Sequence, residues 1–206
     1  LNQKEIESFM EQFSKELELK LKQNEQNYNK NLSELQKKIQ SLNNNNNEFI
    51  LAVADGMGGH KAGEVASNIA IEHVRDSFEE LETLGKKEDA IDYLRRIVKE
   101  INEKIFSYTK NHPESKGMGT TLVIAIKTND YILYGNIGDS SGYVMKNGLL
   151  HKITKDHTLV NLLVSTGELT PEQAKFHPRK NLLTRALGAN DPIEIDIFDV
   201  DTNVSG

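Results

Sequence analysis

A Gly-rich junction at residues 55–60, Asp-Gly-Met-Gly-Gly-His, lies between two segments of different periodicity. Residues 49–54 form a short, partly β-branched apolar run, which predicts a buried strand. Residues 62–84 instead carry apolar side chains at helical spacing. The strand must therefore deliver Asp55 to a tight loop at the start of a helix, and the glycines let the backbone approach a ligand closely.

The periodicity further along the chain predicts a second helix and two strand pairs. Helical spacing recurs at residues 90–108. Residues 120–127 and 131–137 are strand-like and meet at an Asn-Asp turn, and residues 141–145 and 149–153 meet at a Lys-Asn-Gly turn. We interpret these four runs as a four-strand meander.

Residues 156–186 are mixed and partly helical. Within them, Thr170 is predicted to cap a helix whose first residue is Pro171. Residues 193–200 predict one more strand. Strands that are interrupted by a helix pair and then follow one another predict an α+β fold with a mostly antiparallel sheet.

The first 47 residues differ in character from the rest. Residues 1–42 contain neither Pro nor Gly, and residues 43–47 are five asparagines that we interpret as a linker. An apolar stripe with steps of 4, 3, 4 and 3 predicts a helix that either pairs as a coiled coil, giving oligomers through residues 1–42, or packs on its own domain. The predicted domains are residues 1–47, a helical arm and linker, and residues 48–206. The stripe consists of Tyr28, Leu32, Leu35, Ile39 and Leu42.

Composition excludes several classes of function. The chain has 31 acidic and 25 basic residues, a net charge of -6, which argues against nucleic acid or an anionic membrane as a partner. It has no cysteine, so a cysteine nucleophile and a thiolate metal site are excluded. Its apolar runs are far shorter than the roughly 20 residues that span a bilayer, and its start is not signal-like, so a cytoplasmic location is predicted.

Two acidic loops are candidates for a metal site. Asp55 and a main-chain carbonyl of the Gly-rich loop offer oxygen ligands to a hard divalent cation, although a plain Gly-rich turn in which Asp55 caps the helix is the alternative. Asp139, in Gly138-Asp139-Ser140 after a strand-like run, could converge with Asp55 on one metal cluster, although Gly-Asp-Ser is also a common turn. The nucleotide-binding glycine fingerprints are absent from the sequence.

Residues 50–67 resemble the Asp-Gly-Met-Gly-Gly-His signature, followed by Gly-Glu-x-Ala-Ser, of bacterial type 2C protein phosphatases, the metal-dependent PPM family. Four further motifs follow in the family's order, and the resemblance covers residues 48–200. They are Gly-Thr-Thr at residues 119–121, Gly-Asn-Ile-Gly-Asp-Ser at 135–140, Asp-His at 156–157 and Leu-Thr-Arg-Ala-Leu-Gly at 183–188.

The resemblance implies a β-sandwich flanked by helices. It also implies a phosphoserine/phosphothreonine phosphatase in which two Mg²⁺ or Mn²⁺ ions activate a water, with a third, weaker ion in bacterial members. Asp55 would bridge the two metals, Gly56 would supply its carbonyl and Asp139 would hold the third ion. His60 would be placed to act as general acid, with a structural or surface histidine as the alternative. Residues 157–180 match the family's flap, a segment beside the site. The resemblance also implies that the partners are phosphoproteins made by a Ser/Thr kinase.

The resemblance is incomplete at both ends. Family members begin with an Arg-x-x-Asn-Glu-Asp strand pair and continue into Ser-Asp-Gly and Asp-Asn metal ligands, none of which matches this sequence. We therefore expect a weak or empty metal site and unpaired sheet edges. Three hypotheses remain: part of a working phosphatase, an inactive pseudo-phosphatase that binds phosphoproteins, or a coiled-coil interaction module.

Overall fold

The computed structural model describes residues 48–200, except for the side chains of His60 and Lys61. These residues form strands, α-helices and one 3-10 turn, Pro113–Ser115. In chain order the strands are β1 (Phe49–Val53), β2 (Gly56–Met57), β3 (Gly119–Thr120), β4 (Leu122–Lys127), β5 (Ile132–Ile137), β6 (Tyr143–Lys146), β7 (Leu149–Lys152) and β8 (Asp196–Val200). The helices are α1 (His60–Glu79), α2 (Lys87–Asn111), α3 (Leu159–Ser165) and α4 (Pro171–Lys175).

Four strands form an antiparallel sheet in the order β1-β4-β5-β8, and β1 and β8 are the edges of this sheet within residues 48–200. The predicted four-strand meander is wrong. The β6–β7 hairpin forms as expected but is a separate two-stranded sheet, because β8 occupies the edge of β5 that β6 would need. The short strands β2 and β3 pair with each other in an antiparallel two-stranded sheet. In the chain, β2 follows β1 and precedes α1, and β3 directly precedes β4.

The helix pair α1 and α2 covers one face of the main sheet. Alternate residues of a strand point to the same face, so Ile124 and Ile126 of β4 and Leu133 of β5 all enter this core and are fully buried. Ile195 packs against Gly135, where the missing side chain leaves room for it, since a Cβ atom would lie 2.5 Å from Cδ1 of Ile195. The predicted α+β class with an antiparallel sheet and flanking helices is confirmed.

The opposite face of the main sheet is also apolar. Strand register places Leu51, Ala125, Tyr134 and Phe198 in one row across this face. Leu51 is 61% exposed and its neighbour Val53 is 63% exposed. The described residues therefore build one sheet layer and one helix layer, and they do not supply the facing sheet of the predicted sandwich.

The first helix ends earlier than its apolar pattern predicts. α1 stops at Glu79, not at residue 84, and Leu84 is buried in the loop that follows. The carboxylate of Glu48 holds this loop, since it accepts hydrogen bonds from the Leu84 amide at 3.1 Å and from the Thr83 hydroxyl at 3.0 Å. The loop thus buries an apolar residue without continuing the helix.

The N-terminal arm predicted for residues 1–47 and its coiled-coil pairing lie outside the described residues. Among residues 48–200, no helix combines the length and the apolarity that crossing a membrane requires.

Replacing Leu133 by Ala should lower the free energy of unfolding by about 2–5 kcal/mol, because it removes a fully buried side chain and leaves a cavity. Leu149→Ala is the matched control, since Leu149 is 65% exposed and its truncation should change stability by less than about 0.5 kcal/mol. Urea unfolding followed by circular dichroism measures both. Equal losses in the two variants would contradict the assignment of this core.

Candidate active site

The backbone of Asp55 is held by two threonines at the start of β4. Its amide donates to the Thr121 hydroxyl at 3.1 Å, and its carbonyl accepts from the Thr121 amide at 2.9 Å and the Thr120 hydroxyl at 3.0 Å. Both threonines are buried, whereas Asp55 is exposed. Within residues 48–200 no hydrogen bond or ion pair occupies the Asp55 carboxylate, so the main chain is fixed while the side chain stays available to a ligand.

The junction that follows Asp55 depends on contacts that only glycine allows. A Cβ atom at Gly63 would lie 2.7 Å from the carbonyl carbon of Gly56, so the first turn of α1 crosses the loop backbone directly. The helix is capped by Gly59, without a side-chain hydrogen bond. The alternative in which Asp55 caps this helix is therefore wrong, and its carboxylate has no helix-capping role.

The second acidic loop lies against the same threonine. Gly138 has φ +97°, and a Cβ atom there would lie 2.7 Å from Cβ of Thr121. At the other end of the loop, the Ser140 hydroxyl lies 2.7 Å from the Thr121 hydroxyl. Asp139, between them, is exposed, and its carboxylate has no partner in the described part of the chain. Thr121 thus joins the two loops that present Asp55 and Asp139.

This donor set suits a hard cation in type but is small in number. Asp55 and Asp139 offer carboxylate oxygens and Gly56 a carbonyl, which are the donors that Mg²⁺ and Mn²⁺ prefer. Across the described residues, no three His, Asp or Glu side chains come together in an arrangement that could hold a metal ion. His60 is the first residue of α1, but its side chain lies outside the description, so its role as general acid stays a prediction.

Behind the second loop lies a buried histidine that the sequence analysis left without a role. His157 is 8% exposed, and its Nδ1 accepts a hydrogen bond from the Gly138 amide at 3.1 Å. Its Nε2 lies 3.1 Å from a carboxylate oxygen of Asp196 at the start of β8. Arg185 donates to the other oxygen of that carboxylate at 2.5 Å. Residues from three separate segments therefore meet behind the Asp139 loop.

The charge of Asp196 is stabilised by this cluster. Partial burial alone would raise the pKa of the Asp196 carboxyl, but the hydrogen bonds from His157 and Arg185, together with the positive charge beside it, outweigh burial and hold the pKa below its ordinary value. The carboxylate form therefore persists to lower pH than it would in an unfolded chain.

The motif at residues 183–188 is held against the strand that carries the threonines. Thr120 and Leu187 exchange two backbone hydrogen bonds of 3.0 Å. Gly119 is required here, since a Cβ atom would lie 2.7 Å from the Leu187 carbonyl oxygen. This contact brings Arg185 to the site, a placement for which the sequence offered only the motif itself as a signal.

Comparison with known proteins is consistent with this arrangement. The family model described as protein phosphatase 2C matches residues 8–190. The chain belongs to the protein phosphatase 2C family. This chain is 44% identical over 155 residues to the serine/threonine phosphatase stp of Listeria monocytogenes, and the match covers 75% of the chain and 62% of that relative.

Two solved structures resemble the type 2C chain. One is the serine/threonine phosphatase Stp1 from Staphylococcus aureus, with a TM-score of 0.70, 40% identity and coverage of 76% of this chain and 61% of that one. The other is the catalytic domain of the phosphatase PstP in complex with two manganese ions, with a TM-score of 0.61, 34% identity and coverage of 76% and 67%. The chain therefore spans about three fifths of the Listeria relative and of Stp1.

The segment of the type 2C chain that matches the flap contains α3 and α4. Thr158 caps α3, and Thr170 caps α4 in a capping box with Gln173, with Pro171 in the first turn as predicted. The backbone amide of Leu159 donates a hydrogen bond to the Leu182 carbonyl at 2.8 Å, and this bond connects the segment to the residues just before Arg185. Phe176 is 88% exposed, the most exposed of the large apolar side chains in the described chain.

Gly138→Ala should destabilise the type 2C chain more than Gly148→Ala does. Both glycines have positive φ, which costs an alanine about 1–2 kcal/mol, but a Cβ atom at Gly148 meets nothing within 4 Å. The contact of Gly138 with Thr121 should add about 1–3 kcal/mol to the loss. Unfolding free energies measured in urea test this difference, and an equal loss at both positions would contradict the loop contact.

Asp196→Asn should lower the free energy of unfolding by about 1 kcal/mol near neutral pH, a value reduced because the side chain is 35% exposed. Because folding lowers the pKa of Asp196, its stabilising effect is complete above the ordinary pKa of about 3.9 and is lost as pH falls through the lowered value. The difference between wild type and variant should therefore shrink below about pH 4. Urea unfolding across pH 3–7 measures it, and a constant difference would contradict the shift.

Proposed function

We propose that this chain carries the core of a metal-dependent phosphatase that removes phosphate from phosphoserine or phosphothreonine in proteins. The observation that supports it is the convergence of two loops on Thr121, each presenting an exposed carboxylate without a protein partner in residues 48–200. Family membership supplies the reaction class that such a site serves.

We propose that Asp55, the Gly56 carbonyl and Asp139 hold divalent cations, Mg²⁺ or Mn²⁺, with two ions in the complete family site and a third, weaker one at Asp139. The manganese complex of the PstP catalytic domain supports this proposal. Such cations lower the pKa of water and neutralise phosphoryl oxygens. Oxygen ligands on short, rigid loops match this need, since they hold the site without rearrangement.

The chain's own residues contribute orientation and access. Thr120 and Thr121 fix both polar groups of the Asp55 backbone, so the carboxylate projects from a rigid base. Glycines on either side of Met57 carry no side chain that would obstruct a phosphorylated residue. His60, directly after these glycines, is proposed as the general acid for the departing serine or threonine oxygen.

We further propose that the substrates are phosphoproteins made by a Ser/Thr kinase and that the reaction takes place in the cytoplasm. The flap segment exposes the side chain of Phe176, which offers an apolar contact to a protein substrate. Two carboxylates are few for a catalytic metal site, so we expect the turnover of the 206-residue chain to be slow and to require Mn²⁺ at high concentration.

Hydrolysis of a phosphothreonine peptide by the purified chain tests this function. We expect turnover that depends on Mn²⁺, stops with chelator and falls at least about 100-fold in Asp55→Asn, since that change removes a ligand charge. Asp130→Asn is the control, because Asp130 lies in the turn between β4 and β5, at the other end of these strands, and should leave the rate unchanged.

A folded chain without turnover that still binds phosphothreonine peptides would support the pseudo-phosphatase hypothesis instead. Turnover that survives in Asp55→Asn would contradict the metal assignment. Circular dichroism of each variant separates loss of activity from loss of fold.

A further inference from the structure

Both polar groups of the Gly138 backbone are bound by His157. The Gly138 amide donates to Nδ1 of the imidazole at 3.1 Å, and the Gly138 carbonyl accepts from the His157 amide at 2.9 Å. A third bond reaches the same carbonyl from the Asn136 side-chain amide at 3.3 Å. Gly138 is buried, so these bonds are shielded from water and define one main-chain position.

The loop of residues 138–140 is thus held at both ends. His157 binds its first residue, and the Thr121 hydroxyl lies 2.7 Å from the hydroxyl of Ser140, its last. Only Asp139, between them, projects to solvent without a partner in the described residues. The direction of its carboxylate therefore depends on the position of Gly138.

The hydrogen bonds of the imidazole require one tautomer. A backbone amide can only donate, so Nδ1 must present a lone pair and the ring proton lies on Nε2. Nε2 then donates to Asp196 at 3.1 Å. Arg185 donates a hydrogen bond to the second oxygen of that carboxylate at 2.5 Å and another to the Glu194 carbonyl at 3.3 Å. These bonds keep Asp196 in place. A ring with its proton on Nδ1 could not accept from Gly138.

We propose that His157 is a positioning residue: through Nδ1 it fixes Gly138 and so aims the Asp139 carboxylate, while Asp196 and Arg185 hold the ring in the Nε2-protonated tautomer. The inference deepens the proposed function, because it rests on Asp139 as a cation ligand. It assigns no proton transfer to His157, whose Nδ1 faces a backbone amide and not the exposed site.

Two conservative variants separate this role from simple filling of the core. In His157→Asn the side-chain oxygen occupies the place of Nδ1 and can accept from Gly138, but nothing reaches Asp196. In His157→Gln the side-chain amide can reach Asp196 but leaves the Gly138 amide without its acceptor. The two variants differ little in polarity, so a merely structural histidine predicts no difference at Gly138.

Amide hydrogen exchange of the full chain, followed by NMR, is the first measurement. We expect the Gly138 amide to exchange about 10-fold faster in His157→Gln than in wild type, and within about 3-fold of wild type in His157→Asn. The Ile124 amide in β4 reports on the intact sheet and should be unaffected. Equal exchange of Gly138 in the two variants would overturn the proposal.

The wild-type chain offers a test that needs no variant. Ring ¹⁵N shifts should show a protonated Nε2 and an unprotonated Nδ1 on His157, and a proton on Nδ1 would overturn the proposal even if both variants failed to fold.

Titration with Mn²⁺ alone then tests the link to Asp139. We expect binding about 10-fold weaker in the Gln variant than in the Asn variant.

The outcomes distinguish this inference from the proposed function. Absence of Mn²⁺ binding in the wild-type chain contradicts the proposed metal site, whereas the exchange of Gly138 still decides the role of His157. Mn²⁺ binding of equal strength in the two variants, with the expected exchange difference, would overturn the claim that His157 aims Asp139.

Discussion

The hydroxyl of Thr121 is the contact on which the site depends. It accepts a hydrogen bond from the Asp55 amide at 3.1 Å and lies 2.7 Å from the Ser140 hydroxyl, so one side chain joins both acidic loops. Strand register makes this possible, since Val53 pairs with Val123 and Ile137 pairs with Leu122. The strands β1 and β5 therefore end on either side of Thr121, and the loops that follow them emerge at the same end of the sheet.

Close backbone packing distinguishes this end of the sheet from the hydrophobic core. The helix α1 crosses the first loop at Gly56 and Gly63, and the second loop lies on Thr121 at Gly138. The glycines carry no side chain at these contacts, so the backbone approaches its neighbours closely. Main-chain hydrogen bonds and the hydroxyls of Thr120 and Thr121 then hold the two loops in place. The only side chains that project from them with free polar groups in the described residues are the carboxylates, as a site for hard cations requires.

Later segments of the chain support the site from behind. Leu187 pairs with Thr120, and the cluster of His157, Asp196 and Arg185 lies behind Gly138. A catalytic carboxylate is effective only if it is held within a fraction of an ångström, so such supporting residues matter as much as the ligands themselves. This gives a physical reason why the motifs at residues 156–157 and 183–188 accompany the motifs that carry the proposed metal ligands.

The sequence by itself determined most of the strands, the two long helices, the cap at Thr170 and the candidate ligands Asp55, Gly56 and Asp139. These depend on local periodicity and on residue chemistry, which a reading of the chain contains. Tertiary structure alone decided that β8 pairs with β5 and that Thr121 and Asp196 support the site. The partners in the last two contacts are 66 and 39 residues apart, and no local pattern specifies which distant side chains folding brings together.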